Sequence, residues 1–286
     1  MDLATVLGLL LAWGALLVSL GLEGGSLKDL FNLPALVLVI FGTFGATVVG
    51  SNMRTITSLH VILRNSWLKS SLNPVELIEM MVGFARKART EGILSLEAAA
   101  AQIDNRFLRK AVELVVDGTP SVMVREILET EIVATQERHK VGESVFTTMG
   151  GFSPTLGIIG TVMGLISMLA KLSEPGKMGH AIAAAFTATF YGVALANLAY
   201  LPIAAKLKSR TNEEVVACEM VIEGILSIQA GDNPRIVETR MSAYLPPSMR
   251  GSVHQDRSGG QSNRSGGLRP AKQPPAARDD PEALAA

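Results

Sequence analysis

The chain has 286 residues, 48% hydrophobic and 18% charged, with a mean hydropathy of +0.32. Its 26 basic and 26 acidic residues cancel, so nothing suggests nucleic acid as a bulk electrostatic partner. A single cysteine, Cys218, excludes an internal disulfide and a cysteine-cluster metal site.

Four stretches lack any Asp, Glu, Lys or Arg: Leu3–Leu22, Leu33–Met53, Val145–Ala170 and Ala181–Ala205. Each reaches the length of about 20 helical residues that crosses a hydrocarbon core of about 30 Å. The pattern predicts an all-α membrane protein with four transmembrane helices, two on either side of the charged segment 54–144. The first stretch is read as a retained span. Asp2 is the only charge before it, and its apolar run is long for a signal peptide.

Loop charges predict the orientation. Glu23–Asn32 carries Glu23, Lys28 and Asp29, and Lys171–His180 carries Lys171, Glu174 and Lys177. In contrast, Arg54, Arg64 and Lys69 follow the second stretch, while Lys206, Lys208 and Arg210 follow the fourth. The positive-inside bias places segment 54–144 and both termini in the cytoplasm.

Segment 54–144 reads as helix with no strand pattern. Asn73-Pro74 has the form of an N-cap followed by proline at the first helical position. Leu77, Ile78, Met81, Val82 and Ala85 form a helical stripe that Gly92 ends. Ser95 opens a short Ala-rich helix through Ile103, and another covers Phe107–Val116. Gly118-Thr119-Pro120 is a turn. Ser121 is expected to cap a helix whose inner face carries Val124, Ile127, Leu128 and Ile132. No proline intervenes before Val145, so that helix is expected to continue into the third span. Beyond the fourth span, Asn212–Ala230 is amphipathic, offering Val215, Val216, Met220, Ile222, Ile225 and Leu226 for packing. From Pro246 onward Gly, Ser, Pro, Gln and Arg dominate, and the tail is expected to be disordered. The resulting divisions are 1–53, 54–144, 145–205, 206–245 and 246–286.

Small and polar residues mark the third and fourth spans. Gly157, Gly160 and Gly164 form one small-residue face, with GxxxG at Gly160–Gly164; Ala184, Ala188, Gly192 and Ala196 form another. Such faces let membrane helices approach closely. Pro154 and Pro202 each remove a backbone donor and are expected to kink or end their helices. Thr155, Thr161, Thr187, Thr189 and Asn197 supply the polar side chains. A membrane threonine usually bonds the carbonyl one turn earlier, but its hydroxyl can also serve a dehydrated cation or a carboxylate.

The run from Ser153 to Leu165, SPTLGIIGTVMGL, resembles the third-span signature of the MotA/TolQ/ExbB family. The run from Ala185 to Asn197, AFTATFYGVALAN, together with Pro202, resembles its fourth-span signature. Ala88–Glu97, ARTEGILSLE, is similar to the AR-x-x-G-x-x-x-LE pattern of the MotA branch.

That resemblance implies a flagellar stator subunit: a homo-pentameric ring around MotB-like single-span helices whose aspartate carries the ion. It would explain why these four stretches contain no carboxylate. By the same resemblance Pro154, Thr155, Thr161, Thr189 and Pro202 match ion-path and coupling positions. Arg89 and Glu97 match the charged pair that engages the rotor protein FliG. The third and fourth spans are expected to face the partner helix, with the first two outside.

No Walker A, HExxH or GxSxG motif occurs, so the reading is not an enzyme. It requires no cofactor beyond the transported H+ or Na+. A nearer alternative is an ExbB/TolQ-type energiser of outer-membrane transport, against which the two spans before the charged segment count. A channel or transporter working alone lacks support from intramembrane charge or an internal repeat. The pair Thr161 and Thr189 resembles sodium-type members, and the proton remains the alternative ion.

Overall fold

The computed structural model describes residues 3–25, 27–53, 55–57, 59, 73–170, 173 and 175–250. Every regular element among them is helical. The chain divides into two units, Met1–Tyr244 and Leu245–Ala286. In the second, residues 247–250 form a helical turn where disorder was expected from Pro246. The remainder of that tail lies outside the described residues, as do Arg54, Arg64, Lys69, Lys171 and Glu174 of the orientation argument.

Helix α1 spans Leu3–Leu22 and none of its apolar window is buried. After the short α2, Leu27–Leu30, helix α3 covers Leu33–Val49. Asn32 caps it by accepting the Ala35 amide at 3.2 Å, and Pro34 occupies its first turn. Its 17 residues extend about 25 Å, at the short end of membrane-crossing length. The second stretch thus gives a helix ending at Val49 rather than at Met53. Three other helical runs are both long and apolar enough to cross: α1, the run through Ser121–Leu169, and the run through Ala181–Gln229.

Helix α4, Pro74–Glu91, starts as its sequence dictates. Asn73 Oδ1 accepts the Val75 amide at 3.1 Å. The stripe Leu77, Ile78, Met81, Val82 and Ala85 is wholly buried. Gly92 stops the helix with φ +85°, a conformation that favours glycine. A 3-10 turn, Ile93–Leu96, leads into the one-turn α5, Glu97–Ala100, in place of a single helix to Ile103. Helix α6 runs Arg106–Val116 from the cap Asn105, which accepts the Leu108 amide at 2.9 Å.

Helix α7, Ser121–Leu169, is continuous for 49 residues, about 73 Å. Ser121 is its first residue rather than its cap; Pro120 holds that position without a side-chain bond. Pro154 lies inside α7 and does not end it.

Helix α8, Pro175–Leu195, passes through a π-helical segment, Ala196–Tyr200, into α9, Leu201–Gln229. Pro202 therefore does not end the helix either. Proline cannot donate to the carbonyl one turn back and its ring crowds it. A wider π turn just upstream absorbs that mismatch, so the fourth span and the amphipathic segment after it form one rod. Asn233, accepting the Arg235 amide at 3.2 Å, then opens α10, Pro234–Ser242.

Helices α4, α6, α7, α9 and α10 share a core that includes Met81, Leu108, Val112, Leu128, Met220, Ile225 and Met241, all under 2% exposed. Gly224 of α9 admits two methionines: a Cβ there would stand 2.9 Å from Met241 Sδ and 3.2 Å from Met81 Cγ. Glu223 on α9 is paired with Arg240 of α10 at 3.1 Å and with Arg125 of α7 at 3.7 Å.

Candidate functional site

A glycine seam brings α7 and α8 into close contact. A Cβ on Gly157 would lie 2.9 Å from the Ala188 carbonyl oxygen and 3.2 Å from Gly192 Cα. One on Gly192 would lie 2.6 Å from the Ser153 carbonyl oxygen. Gly160 and Gly164 meet Ala188 and Ala185 in the same way, each with 2.6 Å to a Cβ. The glycine face of α7 thus packs on Ala188 and Gly192 of the second small-residue face and on Ala185 beside it. Ala185 and Ala188 are buried in the seam, while Ala184 is only half-buried. Helix α3 packs beside the seam: a Cβ on Gly160 would also lie 3.1 Å from Leu38 of α3, and Leu156 reaches Gly42.

Four oxygens converge at one edge of this seam. The Thr161 hydroxyl lies 3.1 Å from the Gly157 carbonyl, 3.2 Å from the Ala185 carbonyl, and in hydrogen-bond contact with the Thr189 hydroxyl. Thr189 Oγ1 is 3.4 Å from the Gly157 carbonyl. The two hydroxyls bring two protons, whereas each hydroxyl and each carbonyl oxygen offers two lone pairs. Even after the helical N–H groups take one lone pair of each carbonyl, the cluster is rich in acceptors. It carries no formal charge. Chemically it can hold a cation or accept a hydrogen bond from a protonated acid.

The other residues read from the sequence stand apart from this pair. Pro154 is half-buried within α7. Thr155 is exposed, its hydroxyl donating to the Phe152 carbonyl at 2.7 Å. Pro202 is exposed in the first turn of α9. Arg89, in the last turn of α4, and Glu97, the first residue of α5, are exposed on either side of the Gly92 break. Thr155 belongs instead to an uncovered stripe of α7 with Phe152, Ile159, Val162 and Ile166, between 40% and 62% exposed for the four apolar members.

Two further polar side chains support the site. The Ser153 hydroxyl, fully buried, donates to the Gly192 carbonyl at 2.9 Å across the seam. The Tyr191 hydroxyl donates to the Leu30 carbonyl and accepts the Asn32 amide at 3.4 Å, tying α8 to the break before α3. Each lies inside a signature run, but its partner is on another helix. Elsewhere, burial together with Glu214, Glu131 and Glu219 pushes the Cys218 thiol up to about 12, so it stays a neutral thiol near pH 7.

Apolar helices of membrane-crossing length, two of them joined along a polar but uncharged seam, define a helical membrane protein. Residues 99–220 match the model of the MotA/TolQ/ExbB proton channel family. Motility protein A of Bacillus subtilis is 36% identical over 251 residues, 87% of this chain and 93% of that protein. The chemotaxis protein PomA of Vibrio alginolyticus is 34% identical over 250 residues, 87% of this chain and 98% of the other. Among solved structures, the flagellar MotAB stator complex of Bacillus subtilis superposes with a TM-score of 0.84 at 35% identity, covering 88% of this chain and 100% of that one. C. jejuni MotAB gives 0.83 at 30% identity, covering 86% and 97%. The chain belongs to the MotA/TolQ/ExbB family.

Proposed function

We propose that this chain is a flagellar motor stator subunit that works with a MotB-like partner in the bacterial inner membrane. It couples inward flow of H+ or Na+ to torque on the rotor. The observation that carries the site assignment is the Thr161–Thr189 hydroxyl pair, set with two carbonyls at the close-packed seam between α7 and α8.

In this reading α1, α3, the apolar half of α7 and the α8–α9 run through Ala205 are the four spans. Segment 54–144, the helices of 206–245 and both termini lie in the cytoplasm, and residues 246–286 form a tail. The partner's single-span helix supplies the ion-carrying aspartate and seats against the uncovered stripe around Thr155. Five copies of the chain enclose it, with Pro154, Thr155, Thr161, Thr189 and Pro202 along the ion and coupling path. Arg89 and Glu97 engage FliG. The protein needs no cofactor and performs no covalent chemistry.

A buried carboxylate is disfavoured by desolvation, so it cycles between occupied and empty only where nearby polar groups stabilise each state. The hydroxyl and carbonyl oxygens serve that purpose without a competing fixed charge. Their number favours sodium as the driving ion, because oxygens replace the water that a sodium ion sheds. Swimming speed measured with sodium removed at a fixed proton-motive force tests this, and is expected to collapse. Undiminished speed overturns the sodium assignment and leaves the proton.

A further inference from the structure

The α7–α8 seam opposes sliding of its helices more than rotation. Sliding is blocked at Gly192, where a Cβ would stand 2.6 Å from the Ser153 carbonyl oxygen. Its neighbours on that face, Ala188 and Ala196, each carry a Cβ. Rotation of α8 about its own axis meets less resistance, because Gly157, Gly160 and Gly164 of α7 have no side chain to interlock. A rotation of about 20° moves a side-chain oxygen about 5 Å from the axis by about 2 Å. That is enough to break a hydrogen bond, so the Thr161–Thr189 contact depends on how α8 is turned.

Tyr191 stands two residues from Thr189, about 200° around α8, so its side chain leaves the helix on the opposite side. There its hydroxyl donates to the Leu30 carbonyl and accepts the Asn32 amide at 3.4 Å. The break before α3 suits this bond. The residue four on from Leu30 is Pro34, which has no N–H to give that carbonyl, and backbone polar groups within a membrane need a partner in the protein. The break is also a firm anchor: Asn32 caps α3, and Ala35, Val39 and Thr43 bury one face of that helix. A tyrosine hydroxyl lies farther from the helix axis than a threonine's, so it opposes rotation with the longer lever.

We propose that Tyr191 is a positioning residue of the ion path: its hydroxyl, held by the Leu30–Asn32 break, fixes the rotation of α8 that brings the Thr189 hydroxyl to Thr161. This rests on the reading of the Thr161–Thr189 pair as the ion cluster.

The test is the rotation speed of tethered cells bearing the stator complex, measured against sodium concentration, or against external pH at fixed membrane potential if sodium has no effect. Tyr191→Phe keeps the ring and removes the hydroxyl. It is expected to raise the ion concentration for half-maximal speed about three- to tenfold. Speed at saturating ion and the membrane level of the chain should both be kept. A role in packing alone lowers the level or the maximal speed and leaves the half-saturating concentration in place; either result overturns the inference. Thr189→Ala in the same series separates the two readings. If Thr189→Ala stops rotation while Tyr191→Phe leaves the ion dependence unchanged, positioning by Tyr191 falls alone. If Thr189→Ala rotates as the parent does, the ion-cluster reading falls and the inference with it.

Discussion

A threonine hydroxyl in a membrane helix has an easy partner one turn back, and Thr187 takes it, donating to Ala183 at 2.7 Å. Thr161 and Thr189 differ because their hydroxyls reach oxygens on the facing helix, Thr161 in addition to the Gly157 carbonyl one turn back. Thr189→Ala should nearly abolish motility while leaving membrane insertion and assembly intact. One interhelical hydroxyl bond is worth on the order of 1 kcal/mol, too little to dissolve a glycine seam. Thr189→Ser keeps the hydroxyl and should swim. Speed and the membrane level of each variant, measured together, decide the matter; wild-type speed in the alanine variant would remove Thr189 from the ion path. The threonines themselves were legible as hydroxyls in uncharged stretches. Their carbonyl partners were not, because helix rotation and register decide which carbonyl faces which hydroxyl. Ser153 and Tyr191 were passed over for the same reason, since the Gly192, Leu30 and Asn32 groups they bond lie far along the chain.

At the scale of elements, two prolines fail to end their helices. Pro154 and Pro202 were expected to kink or end their helices; α7 continues through the first, and at the second the helix continues by way of a π segment just upstream. Two helix ends governed by capping chemistry were legible, Asn73 and Gly92; Asn105, which caps α6, was not read, and Ser121 was read as a cap that Pro120 holds instead. Asn233-Pro234 repeats the Asn73-Pro74 form and opens α10, a signal available in the sequence but not used. The seam between α7 and α8 gives a sharp expectation. Every atom that a Cβ on Gly157 would meet within 3.2 Å is backbone, so no rotamer change can make room. Gly157→Val should force the helices apart, at a cost of about 1–3 kcal/mol or more. It should lower the yield of assembled complex and abolish motility. Gly83→Ala in α4, where a Cβ meets nothing within 4 Å, should assemble normally and gain up to about 1 kcal/mol of helix stability. Thermal melting of the purified complexes measures both. A Gly157→Val complex as stable as the parent would mean that the seam is not close-packed.

In the molecule as a whole, two rods connect the hydroxyl cluster to the helical bundle. Thr161 lies on α7 and Thr189 on α8; α7 also supplies Val124 and Leu128 to the bundle core, and α9 supplies Met220 and Ile225. Met81 of α4 rests at Gly224 of α9, so the helix whose last turn carries Arg89 is seated on the helical run that carries Thr189. The seam and the proposed rotor contact are thus joined by continuous helices and a shared core, elements of the kind that a two-state shift uses. What the chain lacks is the charge that an ion must meet: its four uncharged stretches contain no carboxylate. Cells expressing this chain alone should therefore show no ion flux above background, and co-expression with its MotB-like partner should produce flux. Replacing the partner's membrane aspartate by asparagine should remove the flux again while the complex still assembles. A pH- or sodium-sensitive dye reporting cytoplasmic ion entry reads all three. Flux from the chain alone would mean that the Thr161–Thr189 cluster conducts without a carboxylate, and the division of labour between the two subunits would have to be abandoned.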